Sequence, residues 1–302
     1  MQLRPALNSA IKLLTAQRVP SPRMNAELLI MFTLDCDRAY LYAHPERKLT
    51  VDEISRYDAA LERRATGVPA QYITGHQEFW GIDLIVSPAV LIPRPETEHV
   101  VEAVLKLAGA EASQDQQPNQ KQRTGVSAPH ELRIVDVGTG SGAIALALAR
   151  ELPAAEIYAT EISADALEVA RANAARHELA SRIEFRRADL LSELPLGYFD
   201  FVVSNPPYVG ESEEDTVQLE VRKFEPRGAV FAGPTGLEVI ARLIPAAHAA
   251  LRSGGWLVFE ISGTIVGGVR ELLGGWADVE IRNDLQGIAR VASARKATRP
   301  LN

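Results

Sequence analysis

Two short motifs in this chain combine residue types with a spacing that suits chemistry. The first, residues 136–142, reads Asp-Val-Gly-Thr-Gly-Ser-Gly and is predicted to leave a strand and enter a helix. Glycine at alternate positions lets the backbone turn sharply and lets a ligand approach with no Cβ in the way. Ala143 stands where the pattern Gly-x-Gly-x-x-Gly has its third glycine, and the absence of a following Gly-Lys-Ser/Thr excludes a P-loop.

A carboxylate follows this motif. Nineteen residues after Gly142, the next predicted strand ends at Glu161. A carboxylate at that position accepts hydrogen bonds from both ribose hydroxyls of a nucleoside ligand. NAD and S-adenosylmethionine both carry such a ribose, so the first motif leaves a dehydrogenase and a methyltransferase open.

The second motif is Asn205-Pro206-Pro207-Tyr208, at the end of the fourth predicted strand of the sheet. Two consecutive prolines remove two N–H donors and lock the backbone. The side-chain oxygen of Asn205 and the carbonyl of Pro206 can then point at one place, and two fixed acceptors suit an amino group with two N–H bonds. The Tyr208 ring offers a face on which a planar group can stack.

Together, the two motifs resemble the class I S-adenosylmethionine-dependent methyltransferases that act on planar NH2 groups, over residues 130–296. A delocalised amide or exocyclic nitrogen is a poor nucleophile, and no base of ordinary pKa deprotonates it beforehand. Asn205 is therefore expected to align the nitrogen lone pair with the sulfonium methyl group and to favour the charge that develops on nitrogen. The sulfonium supplies the driving force, so we expect no metal.

The elements that position these motifs follow from periodicity and end signals. A first helix is predicted over 6–17. A second begins after an N-cap at Ser21, with Pro22 at N1, and ends at Leu34. A third begins at a capping box, 50–53, and ends at about residue 65. Residues 71–86 are predicted to form a hairpin with Gly81 near its turn. Beyond it we predict an extended segment at 91–95, a helix over 96–107 and a flexible, Gln-rich loop at 109–130.

After this loop, strands and helices alternate. Strands are predicted over 133–137, 156–160, 182–187, 200–204 and 256–261, with helices over 143–151, 164–177, 237–251 and 266–273 between them. Pro245 is expected to kink or restart its helix. An antiparallel pair, 279–282 and 290–294, closes the chain. The alternation indicates a parallel sheet covered on both faces, with ligands at the carboxyl ends of its strands.

Composition narrows the function classes. The 302 residues carry a net charge of −7, with 46% hydrophobic residues and one cysteine, Cys36. These values exclude a disulfide scaffold, a disordered chain, a Cys-based zinc site and a strongly basic nucleic-acid coat protein. With no basic footprint and no apolar stretch long enough to span a bilayer, we expect a cytoplasmic protein with no membrane contact and no direct nucleic-acid partner.

The N-terminal third resembles one branch of these methyltransferases. Segments 69–75 (Pro-Ala-Gln-Tyr-Ile-Thr-Gly), 78–81 (Glu-Phe-Trp-Gly) and 91–98 (Leu-Ile-Pro-Arg-Pro-Glu-Thr-Glu) are similar to the HemK/PrmC family, as are 25–29 and 224–227. This family consists of the release factor glutamine methyltransferases. The resemblance implies methylation of the glutamine N5 in the Gly-Gly-Gln motif of peptide chain release factors, with S-adenosylhomocysteine as the second product. A DNA adenine-N6 or rRNA guanine-N2 methyltransferase, with the same Asn-Pro-Pro-Tyr chemistry, is the alternative.

The resemblance also implies an α/β methyltransferase fold with a mostly parallel seven-stranded sheet and an antiparallel last strand, preceded by helices. The expected divisions are a helical docking domain (1–68), a hairpin and connection (69–95) and a methyltransferase domain (96–302). Glu161, which the resemblance implies would hold the ribose, stands where the family more often has Asp, and Ala289 also departs from an expected Asp. The implied cofactor-binding residues are Gly138, Thr139, Gly140, Ser141, Gly142, Glu161, Asp189, Leu190 and Asn205. The implied catalytic residues are Asn205, Pro206 and Tyr208, and the substrate-binding residues are Asn205, Pro206, Pro207 and Tyr208.

Overall fold

The computed structural model of the chain describes residues 1–115 and 131–298, except for the side chains of residues 110–115. The helices in chain order are α1 (Leu3–Ala16), α2 (Pro22–Leu34), α3 (Arg38–Ala43), α4 (Val51–Ala65), α5 (Ala70–Thr74), α6 (Glu98–Asp115), α7 (Ala143–Glu151), α8 (Ala164–Arg176), α9 (Leu219–Phe224), α10 (Arg227–Val230), α11 (Glu238–Ala250) and α12 (Val266–Leu272). The strands are β1 (His76–Phe79), β2 (Ile82–Ile85), β3 (Arg133–Val137), β4 (Glu156–Glu161), β5 (Ile183–Arg187), β6 (Phe199–Ser204), β7 (Val209–Gly210), β8 (Phe231–Gly233), β9 (Leu251–Glu260), β10 (Ala277–Asn283) and β11 (Ala289–Arg295).

The chain divides into two compact units. Unit 1 comprises Met1–His76, Val86–Pro88 and Val217–Glu225, and unit 2 comprises Gln77–Ile85, Ala89–Thr216 and Pro226–Asn302. The helices of unit 1 pack around an apolar core to which α1, α2 and α4 contribute. The divisions expected from the sequence, at residues 68 and 95, remain predictions.

Arg64 is the most deeply buried cation of unit 1, with only 3% of its surface exposed. Its Nε donates to Asn25 Oδ1 at 2.7 Å, its Nη1 to the carbonyl of Val68 at 3.1 Å, and its Nη2 to Glu220 Oε2 at 2.7 Å. These bonds compensate the loss of hydration that burying a guanidinium requires. The carboxylate partner is on α9, more than 150 residues further along the chain.

Unit 2 is built on a seven-stranded sheet in the order β10-β11-β9-β6-β3-β4-β5. Strands β9, β6, β3, β4 and β5 pair in parallel, and β11 is antiparallel to both of its neighbours. The chain runs outward from β3 to β5 and then crosses to β6 on the other side of β3. This reversal creates a topological switch point, where ligands of open α/β sheets bind at the carboxyl ends of the strands.

The two faces of the sheet are covered by separate apolar cores. In β6, Phe201 and Val203 pack with α6, α7 and the β1–β2 hairpin, whereas Val202 packs with α11 and α12. Successive strand residues point to opposite faces, so a strand that is buried along its whole length contributes to both cores. The predicted fold class, a mostly parallel seven-stranded sheet with an antiparallel last strand and helices before it, is confirmed.

Local structure departs from the sequence predictions at several places. Residues 71–74 form helix α5 instead of a strand, because Gly75 at φ +79° ends a helical turn and donates to the carbonyl of Gln71. Ser21 makes no side-chain cap; the Asn25 side chain donates to the carbonyls of Pro20 and Ser21 instead. Helix α6 continues through 109–115, and residues 116–130 of the predicted loop lie outside the described residues. Pro245 does not restart its helix, because it lies inside the single helix α11, and the predicted kink remains a prediction.

Candidate active site

Residues 138–142, here called the glycine loop, join β3 to α7 at the carboxyl edge of the sheet. Gly138, Gly140 and Gly142 have φ values of +71°, +55° and +86°, in the left-handed region that L side chains rarely adopt. A Cβ built on Gly138 or Gly140 would meet no described atom within 4 Å. The N–H groups of Gly138 and Thr139 donate to the carbonyl of Thr160. The loop is therefore held to the end of β4, and the space beside Gly138 and Gly140 is open.

The polar side chains of the loop face inward. The Thr139 hydroxyl donates to Asp136 Oδ2 at 2.6 Å, and the same oxygen accepts the N–H of Ala145. Ser141 is 2% exposed, and its carbonyl accepts a hydrogen bond from Asn173. Thr139 and Ser141 thus brace the loop. That these two residues bind a cofactor remains a prediction. Because their side chains face inward, they would have to bind it through backbone groups.

Asp136, under the glycine loop, has a strongly altered acidity. Burial raises the pKa of Asp136 to about 7, although the hydrogen bonds from Thr139 and Ala145 lower it and the nearby Glu161 carboxylate raises it further. Its Oδ1 atom has no hydrogen-bond partner among the described residues. The group therefore changes charge near neutral pH instead of remaining an ordinary ionised carboxylate.

Glu161 is the last residue of β4 and faces the glycine loop. Its Oε2 accepts the N–H of Gly140 at 3.0 Å, and its Oε1 accepts the N–H of Ser163 at 3.0 Å. A carboxylate has about four acceptor positions, so roughly two are left for a ligand. This geometry is suited to a ribose diol beside the loop.

The segment after β5 lies next to this carboxylate. The N–H of Ala188 donates to the backbone carbonyl of Glu161 at 3.0 Å. Asp189 is exposed and forms an ion pair with Arg242 at 2.6 Å, and Leu190 adopts φ +52°. The glycine loop, Glu161 and this segment follow three adjacent strands, so the open glycines and the remaining acceptor positions of Glu161 lie at one edge of the sheet.

Residues 205–208, here called the proline loop, follow β6, the other neighbour of β3. Ser204 pairs with Val137 in the sheet register and donates from its Oγ to the Val137 carbonyl, so Asn205 begins at the level of Gly138. The Asn205 Nδ2 atom donates to Thr97 Oγ1 at 3.1 Å, which turns Oδ1 away from Thr97. The sheet thus brings the two sequence motifs to adjacent strand ends.

Behind the proline loop is Glu260, the last residue of β9, with 1% of its surface exposed. Its Oε2 accepts the Thr97 hydroxyl at 2.6 Å, and its Oε1 accepts the Tyr208 hydroxyl at 2.8 Å. Burial raises the pKa of Glu260, and burial together with this carboxylate raises the pKa of Tyr208. Tyr208 therefore remains a neutral phenol at physiological pH, with its hydroxyl fixed.

Gly236 supports the proline loop from another side. A Cβ built on Gly236 would lie 2.5 Å from the Tyr208 carbonyl oxygen and 3.0 Å from the Gly210 nitrogen. Its φ of +84° is also in the left-handed region. The backbone at Gly236 consequently sits against the point where the chain leaves the proline loop.

Sequence reasoning did not identify Thr97, Glu260 or Gly236 as site residues. Thr97 lies within the family-like segment 91–98, which was one available signal. Glu260 ends an ordinary apolar strand and carried none. In the acidic segment 211–215, Glu214 forms an ion pair with Arg227 at 2.8 Å.

Comparisons with known proteins agree with this architecture. A family model described as the PrmC N-terminal domain matches residues 5–75, and one described as the methyltransferase small domain matches 124–223. The hMettl16 catalytic domain, solved with a MAT2A 3'UTR hairpin, is 16% identical with a TM-score of 0.56, and the match covers 87% of this chain and 94% of that one. At this identity the likeness concerns the fold. Fold and site together define a class I methyltransferase.

Relatives of similar length show to which family of methyltransferases the chain belongs. The release factor glutamine methyltransferase of Koribacter versatilis is 52% identical over 301 residues, which is 99% of this chain and 100% of the relative. That of Chlorobaculum tepidum is 42% identical over 94% of each chain. This chain therefore belongs to the release factor glutamine methyltransferase family.

Proposed function

We propose that this enzyme transfers the methyl group of S-adenosylmethionine to the side-chain nitrogen, N5, of the glutamine in the Gly-Gly-Gln motif of peptide chain release factors. Family membership supports the reaction and the substrate class. The observation that carries the mechanism is the hydrogen bond from Asn205 Nδ2 to Thr97, which leaves Asn205 Oδ1 to accept an N–H of the substrate amide.

The residues divide into two groups. The glycine loop, Glu161, Asp189 and Leu190 would hold S-adenosylmethionine, which supplies an electrophilic methyl group, and Asn205 would contact both this cofactor and the substrate. Asn205 Oδ1 and the Pro206 carbonyl would each accept one N–H of the glutamine amide, and Pro207 keeps the turn rigid. Tyr208 would contact the flat face of the amide. Two fixed acceptors orient the nitrogen lone pair and favour the positive charge that grows on it.

Two further expectations belong to this proposal. Among residues 1–115 and 131–298, no helix combines the length and apolarity needed to cross a membrane. Within the same ranges, no cluster of three or more His, Cys, Asp or Glu side chains is arranged to hold a metal ion. We propose that the enzyme works in the cytoplasm, where release factors act, with S-adenosylmethionine and no metal.

The test uses the full chain, radiolabelled S-adenosylmethionine and a purified release factor. We expect label on the Gly-Gly-Gln peptide, and none on a control release factor in which alanine replaces that glutamine. Parallel reactions contain DNA and ribosomal RNA. Strong labelling of a nucleic acid with no label on the release factor would overturn the proposal and establish the alternative substrate class.

A further inference from the structure

Asn205 is joined to a buried carboxylate by a short series of hydrogen bonds within unit 2. Asn205 Nδ2 donates to Thr97 Oγ1 at 3.1 Å, and Thr97 Oγ1 donates to Glu260 Oε2 at 2.6 Å. The other carboxylate oxygen accepts the Tyr208 hydroxyl at 2.8 Å. We call these four residues the Glu260 network. Both its ends, Asn205 and Tyr208, belong to the proline loop.

The direction of each hydrogen bond follows from the chemistry of Glu260. An ionised carboxylate can only accept, so Thr97 and Tyr208 must both donate to it. A threonine hydroxyl has a single proton, so Thr97 can then only accept from Asn205. The Asn205 amide must present its NH2 group to Thr97, and its Oδ1 is turned to the opposite side.

We propose that Glu260 is a positioning residue for methyl transfer: through Thr97 it determines that Asn205 presents its oxygen, and not its NH2 group, to the substrate nitrogen. Tyr208 occupies the other oxygen of the same carboxylate. This inference deepens the proposed function and rests on it for the identity of the substrate. Glu260 itself touches no reacting atom.

The orientation of Asn205 decides whether a planar NH2 substrate can be held. An Asn205 turned by 180° would place its own NH2 group against the NH2 group of the substrate, so two donors would face each other. The hydrogen bond that aligns the substrate nitrogen would then be lost. Loss of one such bond in a buried site corresponds to a decrease of about tenfold to a hundredfold in rate.

The surroundings of Glu260 make the network sensitive to pH. Thr97 and Tyr208 bond to it directly, Glu96 lies beside it and raises its pKa, and Arg290 lowers it. Arg290 is itself held by Asp284 at 2.8 Å and lies 3.8 Å from Glu96. Burial has the largest effect and raises the pKa of Glu260 above the usual glutamate value. Once protonated, Glu260 can donate to Thr97 and no longer dictates the direction of the hydrogen bonds.

The kinetic test compares three variants with the unchanged enzyme. Glu260→Gln offers a single acceptor oxygen, and Thr97→Val removes the hydroxyl while keeping the shape. Thr97→Ser keeps the hydroxyl and is the matched control. We expect kcat to fall about tenfold or more in the first two variants and to change less than about twofold in Thr97→Ser. Calorimetric binding of S-adenosylmethionine and the melting temperature should show that all three fold.

The pH profile adds a readout that a purely structural role would not change. In the unchanged enzyme, kcat should decrease toward acid pH as Glu260 is protonated, starting above the pKa of an ordinary glutamate. The Glu260→Gln variant should lack this acid limb. Retention of the unchanged kcat in Thr97→Val and Glu260→Gln, or a loss confined to S-adenosylmethionine binding, would overturn the inference.

A neutron structure tests the network without any substrate. We expect the deuterium on Thr97 Oγ1 to point at Glu260. We expect the deuterated amide nitrogen of Asn205, Nδ2, to point at Thr97. An Asn205 oxygen facing Thr97 would refute the inference. An unchanged enzyme that fails to label release factors would instead refute the proposed function, so the two failures are distinguishable.

Discussion

The glycine loop and the proline loop lie side by side at the carboxyl edge of one sheet, but they are built in different ways. The backbone of the glycine loop follows mainly from its own three glycines, which adopt left-handed φ values. Hydrogen bonds to Thr160, Glu161 and Asn173 then hold this loop against its neighbours. The proline loop is fixed from a distance, by Thr97, Gly236 and Glu260. Both loops can be recognised in the sequence from their glycines or prolines, whereas the distant partners that hold the proline loop depend on the whole fold.

The comparison predicts separable defects, and the largest is expected at Asn205. Asn205→Ala removes the acceptor for the substrate amide but no part of the glycine loop. We expect kcat to fall by about a hundredfold to a thousandfold, with S-adenosylmethionine binding changed less than about threefold. Labelled-transfer kinetics and calorimetry measure the two. Asn8→Ala, at an exposed position of α1, is the matched control. Full activity in Asn205→Ala would contradict the assigned role.

The next largest effect is expected at Gly236. In Gly236→Ala, the new methyl group would collide with the Tyr208 carbonyl at 2.5 Å, and alanine disfavours the φ of +84°. The proline loop must shift, so kcat should decrease about tenfold or more while S-adenosylmethionine binds as before. Gly267→Ala is the control, because its Cβ would meet no described atom within 4 Å. Equal losses of kcat in both variants would show that the steric contact is unimportant.

The opposite defect, in cofactor binding and not in kcat, is expected at Gly140. Gly140→Ala disturbs a φ of +55° and fills the open side of the glycine loop, so binding of S-adenosylmethionine should weaken about tenfold. Gly197→Ala introduces comparable strain, at φ +62°, before the amino end of β6 and should leave binding unchanged. Calorimetric titration compares the two. If Gly140→Ala lowered kcat alone, the division of labour between the loops would be wrong.

The smallest effect concerns stability. The pKa of Asp136 is about 7 in the folded protein, raised from the ordinary value of 3.8. Protonation therefore stabilises the fold fully below pH 3.8, and this contribution is lost as the pH rises through about 7. The Asp136→Asn variant keeps an acceptor for Thr139 and Ala145 but cannot ionise.

The measurement is the melting temperature of both proteins at about pH 5 and about pH 8, on either side of this titration, without cofactor. The melting temperature of Asp136→Asn minus that of the unchanged enzyme should be several degrees larger at the higher of these two pH values than at the lower one. A constant difference would show that Asp136 has an ordinary pKa in the folded chain.

Most of the sheet and both short motifs were predictable, because they depend on local signals. Strand–helix alternation and the glycine spacing of residues 138–142 act over a few neighbouring positions. The bond between Thr97 and Glu260 joins residues 163 positions apart, and no local pattern marks such a partnership. Helix α5 was mistaken for strand because Tyr72 and Ile73 favour β structure. Gly75 was the overlooked stop signal.

The ion pair between Arg64 and Glu220 has a consequence for the order in which the two units can be completed during synthesis. Unit 1 uses residues 217–225, so its buried arginine lacks its only described carboxylate partner until about three quarters of the chain has been synthesised. A fragment ending at residue 68 would keep the bonds from Arg64 to Asn25 and Val68 but expose the rest of the guanidinium. The helical unit, though first in sequence, can be completed only after much of the catalytic unit has left the ribosome.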